Sequence, residues 1–245
     1  MRVVKAPAPP PEGVHDPRVG VIIVAAGASR RMTGEDALPL DKVFAPLAGK
    51  PMIAHTISAF QEYPQVGEIV LVLSQDNLER GRSLVAQGGW RRPVEVCLGG
   101  PRRQDSVKVG LQRLSPCSWI MVHDGARPCV TQELLQRALE EASTTGAAIP
   151  ALPVNDTIKR VQDSFVLETL PRETLRAVQT PQVFRSELLR RAYQGDLDEV
   201  TDDASLVEKL GHRVKVFLGS YENIKVTTRE DLVFAEAILR RRATP

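Results

Sequence analysis

The sequence predicts an α/β fold, a Rossmann-like and mostly parallel sheet with helices on both faces, and three observations carry that prediction. The run GVIIVAAGASRRM over residues 20–32 places Val21, Ile22, Ile23 and Val24 side by side with no polar residue among them. Such a run suits a central strand buried on both faces. Further apolar runs, EIVLVL at 68–73, VEVCL at 94–98 and WIMV at 119–122, alternate with segments whose apolar residues recur at helical spacing. Asp124 closes one of those runs, at the carboxyl edge where open parallel sheets bind their ligands.

Composition narrows the class. With 245 residues the chain has room for one large α/β domain, placed here at residues 19–245. A net charge of +2 gives no general basic field, which argues against a nucleic-acid or membrane surface. Cys97, Cys117 and Cys129 lack C-x-x-C spacing, so neither a zinc site nor a disulfide framework is expected, and a reducing cytoplasm fits best. No apolar run approaches the ~18 residues of a membrane span, and the N-terminus lacks a signal-peptide pattern. Residues 1–18 hold five prolines and few apolar residues, which predicts a flexible leader.

Taken in order, the first strand runs into Ala25, Ala26, Gly27, Ala28 and Ser29, a loop with almost no side chain. Its backbone can approach a ligand closely and point N–H groups at it. Arg30 and Arg31 follow with permanent positive charge, and residues 33–40 form a polar insertion before Lys42 that is long enough for a flap. Pro51 suits a helix start, with Ile53, Ile57 and Phe60 on one face. After the 68–73 strand a helix is expected from about Asn77 to Gln87, then a Gly-Gly turn and the 94–98 strand. Gly99 and Gly100 precede a helix with Ser106 in its first turn and Val107, Leu111 and Leu114 toward the sheet. His123 suits a packed structural histidine. Thr131 suits an N-cap, and a fifth strand is expected at 147–152.

Residues 154–172 alternate polar and apolar residues around Gln162-Asp163-Ser164, which predicts a projecting β-arm in need of a partner surface. TPQVF, at 180–184, is expected as a loop, and a short helix follows with Asp202 near its start. A late strand is expected at 214–218, and Lys225 is expected between apolar strand residues, as a surface lysine or an anion ligand. Thr228 to Asp231 predicts a capping box opening the last helix.

The loop after the first strand is neither a dinucleotide fingerprint nor a Walker A loop, both of which need glycines that are missing here. From residues alone the chain is a nucleotide-phosphate enzyme on an α/β sheet. Asp124 is the natural candidate for Mg²⁺, with Arg127 beside it as a structural salt bridge in the plainer alternative.

The ordered set AAG-x-S-R-R-M, DK, GG-x-x-R-x-DSV, HD-x-ARP, DT-x-K, PR, TPQ-x-F, TD-x-AS and NIKVT closely resembles the 2-C-methyl-D-erythritol 4-phosphate cytidylyltransferases, from Val19 to the terminal helix. The resemblance implies a nucleotide-diphospho-sugar transferase type of fold and transfer of CMP from CTP to the polyol phosphate, in the non-mevalonate isoprenoid route. A cytidylyltransferase for another polyol phosphate, such as ribitol 5-phosphate, is the alternative. Carried over by position, Ala25, Ala26 and Gly27 would bind the cytidine together with Gly99 and Ser106. Arg31 and Lys42 would stabilise the triphosphate, Asp124 would bind Mg²⁺ and nucleotide, and Lys225 would contact phosphates. Thr157 and Arg172, with Arg127, would hold the polyol phosphate, and the arm would build a homodimer. The sequence departs from the family pattern in a longer stretch between Arg31 and Lys42, in Asp41 before that lysine, and in Gly125.

Overall fold

The computed structural model describes residues 19–27, 42–195 and 199–243. The expectations for the leader 1–18, for Arg30 and Arg31, and for the polar insertion 33–40 lie outside the described residues.

The elements run in this order. Strand β1 (Val19–Ala25) is followed by a 3-10 turn (Lys42–Phe44), the short pair β2 (Pro46–Leu47) and β3 (Lys50–Pro51), helix α1 (Met52–Glu62) and β4 (Val66–Leu73). Then come α2 (Leu78–Gln87), β5 (Val94–Leu98), α3 (Arg103–Arg113), β6 (Trp119–Asp124), α4 (Gln132–Thr145) and β7 (Ala147–Pro153). The arm is β8 (Ile158–Gln162) and β9 (Phe165–Leu170). The chain returns through β10 (Arg176–Val178), β11 (Gln182–Arg185), α5 (Ser186–Ala192), α6 (Asp203–Lys209), β12 (Lys215–Leu218) and α7 (Arg229–Ala243).

Eight strands form one sheet, hydrogen-bonded in the order β10-β7-β11-β6-β1-β4-β5, with β12 also on β7. The β6-β1-β4-β5 half is parallel throughout, and β12 is parallel to β7. β10 and β11 run antiparallel to their neighbours.

Strand alternation divides the core in two. Val19, Val21, Ile23 and Ala25 point into one cluster, with Ile53, Ile57 and Phe60 of α1 and Leu134, Leu135 and Ala138 of α4. Ile22 points the other way, onto Val107 and Leu111 of α3 and Leu188 and Leu189 of α5. Helix α3 lies close against β1 because residue 110 is glycine: a Cβ there would stand 2.6 Å from Ile22 Cγ2. Local signals fix the helix ends. Thr131 Oγ1 accepts from Leu134 N–H at 3.3 Å, Asp202 Oδ1 accepts from Ser205 N–H at 3.2 Å, and Thr228 Oγ1 accepts from Asp231 N–H while Asp231 accepts from Thr228 N–H.

Two local expectations are corrected. TPQVF is not a loop: Gln182 to Arg185 is an inner strand between β6 and β7. Its polar first residue is satisfied by the start of α6, since Gln182 Oε1 accepts from Asp203 and Ala204 N–H and Gln182 Nε2 donates to Asp202. Lys225 is not in a strand either; it lies in an irregular segment before α7. Residues 75–77 form a 3-10 turn, and the helix expected from about Asn77 to Gln87 runs over Leu78–Gln87.

Candidate active site

Four parallel strands, β6, β1, β4 and β5, end side by side. Val24 pairs with Asp124, Ala25 with Leu73, and Leu73 with Leu98. The loops leaving them are drawn together: Gly125 N–H donates to Val24 O and Gly99 N–H to Leu73 O, both at 2.8 Å. Gly99 sits where no side chain fits, since a Cβ there would lie 2.4 Å from Ala26 Cβ and 2.7 Å from Ser106 Oγ. Ala26, from one motif, and Gly99 and Ser106, from another, therefore lie against one another at this edge. Ser106 Oγ also accepts from Gly100 N–H at 3.2 Å, which fixes the glycine turn over the start of α3. Gly27 is exposed, and among the described residues no atom outside its chain neighbours comes within 4 Å of where its Cβ would stand.

Asp124 forms the floor of this edge. Lys225 Nζ is 2.9 Å from Oδ2, Arg127 Nε 3.5 Å from Oδ2 and Arg103 Nε 3.6 Å from Oδ1. Burial opposes the charge on Asp124, but Lys225, Arg103 and Arg127 together hold its carboxyl well below the usual carboxylate range. Arg103 reaches on to Asp203, at 2.8 Å, whose side chain is wholly buried. Two carboxylates thus face three cations, a surplus that favours an anionic ligand.

The backbone of Asp124 is held from β11's side. Its N–H donates to Thr180 Oγ1 at 3.0 Å, and the same hydroxyl lies 3.0 Å from His123 Nδ1. Arg127 O, 3.1 Å from His123 Nε2, can only accept, so Nε2 carries the hydrogen and Nδ1 accepts from Thr180. Burial lowers the His123 pKa to about 4. The imidazole is neutral with both nitrogens engaged, which fits a structural histidine.

The structure brings Ala25, Ala26, Gly99, Ser106, Asp124, Arg127 and Lys225 to the carboxyl edge. Arg127 is turned inward: it is buried and donates to Asn223 O at 2.7 Å, so it anchors the segment that carries Lys225. Asn223 Nδ2 donates to Thr180 O at 2.7 Å, and Val226 N–H to Ala126 O at 2.8 Å, completing that anchorage. Lys42, half-buried, opens the 3-10 turn before α1. Thr157 and Arg172 are on or beside the exposed arm, where Arg172 donates to Asn155 O at 2.6 Å. Sequence reading missed Arg103, Thr180 and Asn223; the arginine in GG-x-x-R was the available signal for the first of these.

Among the described residues no group of three or more His, Cys, Asp or Glu side chains gathers to hold a metal ion. A metal here would have Asp124 as its protein ligand at this edge.

The profile of the 2-C-methyl-D-erythritol 4-phosphate cytidylyltransferase family, IspD, matches residues 19–241. The chain belongs to the IspD family. A relative of that name from Dehalococcoides mccartyi strain CBDB1 is 49% identical over 225 residues, 91% of this chain and 97% of that protein. Another from Alkaliphilus metalliredigens is 45% identical, with 92% and 94% covered. The crystal structure of 2-C-methyl-D-erythritol 4-phosphate cytidylyltransferase from Thermus thermophilus superposes with a TM-score of 0.71 at 34% identity, covering 90% of this chain and 98% of that one. The 4-diphosphocytidyl-2C-methyl-D-erythritol synthase structure from Anaerococcus prevotii gives 0.78 at 29% identity, with 91% and 99% covered. IspD membership makes this chain a nucleotidyltransferase, as the small-residue loop and the cation-ringed acid suggest.

Proposed function

We propose that the chain transfers CMP from CTP to 2-C-methyl-D-erythritol 4-phosphate, forming 4-diphosphocytidyl-2-C-methyl-D-erythritol and pyrophosphate. The supporting observation is the Lys225–Asp124 contact of 2.9 Å at the strand edge where Ala26, Gly99 and Ser106 also meet. A nucleoside suits this place because the residues there are small and let backbone approach it closely, and its phosphates would then lie toward the cations. The relatives named for this substrate do not favour the ribitol 5-phosphate alternative.

The acceptor phosphate is already ionised near neutral pH. Its oxygen attacks the α-phosphorus, a P–O–P link forms, and the bond to the β-phosphate breaks as pyrophosphate leaves. No general base is needed, which agrees with a neutral, fully bonded His123. The work of the site is alignment and cancellation of charge. Lys42 and Arg31 serve the triphosphate and Lys225 the approaching phosphates.

Asp124 fits a role in holding Mg²⁺ because it is ionised and because Mg²⁺ accepts one or two carboxylates alongside substrate phosphates. That ion supplies further neutralisation of phosphate charge.

The arm exposes Val161, Phe165, Val166 and Leu167, with Phe165 76% accessible. Such a surface suits a second copy, and a cytoplasmic homodimer would bring Thr157 and Arg172 to a neighbour's acceptor phosphate. No helix among the described residues is long and apolar enough to cross a membrane.

The test is pyrophosphate release by the purified protein from CTP, with each polyol phosphate and with or without Mg²⁺. Release that requires Mg²⁺ and the methylerythritol phosphate is expected; release with ribitol 5-phosphate alone overturns the proposed acceptor.

A further inference from the structure

Asp203 is a carboxylate with no solvent exposure, in the first turn of α6. Tyr193 OH donates to its Oδ1 and Arg103 donates to its Oδ2 at 2.8 Å. Burying two opposite charges costs several kcal/mol in desolvation, and apolar side chains of similar volume fill such space as well or better. Packing alone therefore does not call for these charges. What the pair does is visible at the other side of the same guanidinium. Arg103 Nε faces Asp124 Oδ1 but stands 3.6 Å away, beyond hydrogen-bond length. The guanidinium is shared between two acids and held to the inner one.

We propose that Asp203 is a positioning residue that draws Arg103 back from Asp124, leaving Oδ1 of Asp124 available to a divalent cation carrying the nucleotide phosphates. The inference rests on Asp124 as the holder of that cation. Without the Asp203 charge, Asp124 is the carboxylate left facing Arg103, and the guanidinium competes directly with the metal. Tyr193 matters less: losing its hydroxyl frees Asp203 for Arg103 and should not push the guanidinium outward.

The experiment follows free Mn²⁺ by electron paramagnetic resonance while the metal is titrated into protein held with CTP and no acceptor. Asp203→Asn should weaken Mn²⁺ binding about tenfold. The double variant Asp203→Asn, Arg103→Gln should restore it to within about threefold of wild type, because the competitor is gone. Tyr193→Phe should lower Tm yet leave Mn²⁺ affinity within about twofold. A structural role alone predicts that the three variants follow Tm. Wild-type affinity in Asp203→Asn, or no recovery in the double variant, overturns the proposal. If Asp203→Asn does not fold, the double variant decides alone: affinity near or above wild type supports competition, and a tenfold loss overturns it. Asp124→Asn separates the two levels. If it leaves Mn²⁺ binding intact, Asp124 is not the holder; if it abolishes binding while Asp203→Asn has no effect, only the role of Asp203 fails.

Discussion

Replacing Lys225 with methionine keeps the reach of the side chain and removes its charge. Lys225 Nζ is 2.9 Å from Asp124 Oδ2, and its side chain is 46% exposed. With the charge centres about 4 Å apart, the pair is worth ~1 kcal/mol at the dielectric of water and ~4 kcal/mol at an effective value of 20. Asp124 retains Arg103 and Arg127, so the stability loss falls at the low end, about 1 kcal/mol, or roughly 2–4 °C in Tm for a chain of this size. A phosphate dianion at a similar distance carries twice the charge, so its lost attraction is about 2–4 kcal/mol in the transition state. That is a fall of roughly 30- to 1000-fold in kcat/KM. Initial rates of pyrophosphate release at subsaturating acceptor, beside a calorimetric melt, measure both quantities. A variant with kcat/KM within threefold of wild type and a melting point several degrees lower would show that Lys225 only steadies Asp124.

Other outcomes follow from the same geometry. Lys42→Ala is expected to lower turnover at least tenfold while Tm shifts by only a few degrees; near-normal turnover in a folded protein removes Lys42 from the mechanism. In Gly99→Ala the new methyl group would press on Ala26 and Ser106, so CTP binding measured by calorimetry should weaken about tenfold or more. His123 is neutral in the folded state with a pKa of about 4, against 6.5 when exposed. Between those values the unfolded chain takes up a proton that the native chain does not, so stability falls as pH drops from 6.5 toward 4. The loss reaches about 3 kcal/mol, and urea unfolding of His123→Gln should show a correspondingly flatter pH dependence. Phe165→Asp should shift sedimentation of the protein toward monomer if the arm pairs with a second copy.

Much of this site was legible because its parts are local. Small residues after a β-branched run, a glycine pair before a helix, and an acid closing a strand each carry their meaning within a few positions. The caps at Thr131, Asp202 and Thr228 were legible for the same reason. What escaped was settled by distant partners. Arg103 finds Asp203 one hundred residues later, and no spacing announces it. The Lys225 segment has the alternation of a strand, but Arg127, Thr180 and Ala126 pin it as an irregular run. β11 opens on a buried glutamine, which looks like loop chemistry until α6 supplies its partners.

Thr180, which grips the backbone of the acid, follows two residues after β10, and β10 is the strand on which the arm comes home beside β7. Lever and fulcrum are therefore neighbours in one short piece of chain. Anyone transplanting or shortening the arm is also handling the clamp on Asp124, so a graft that keeps the acid in place has to carry the whole passage from β7 through β11 as a unit.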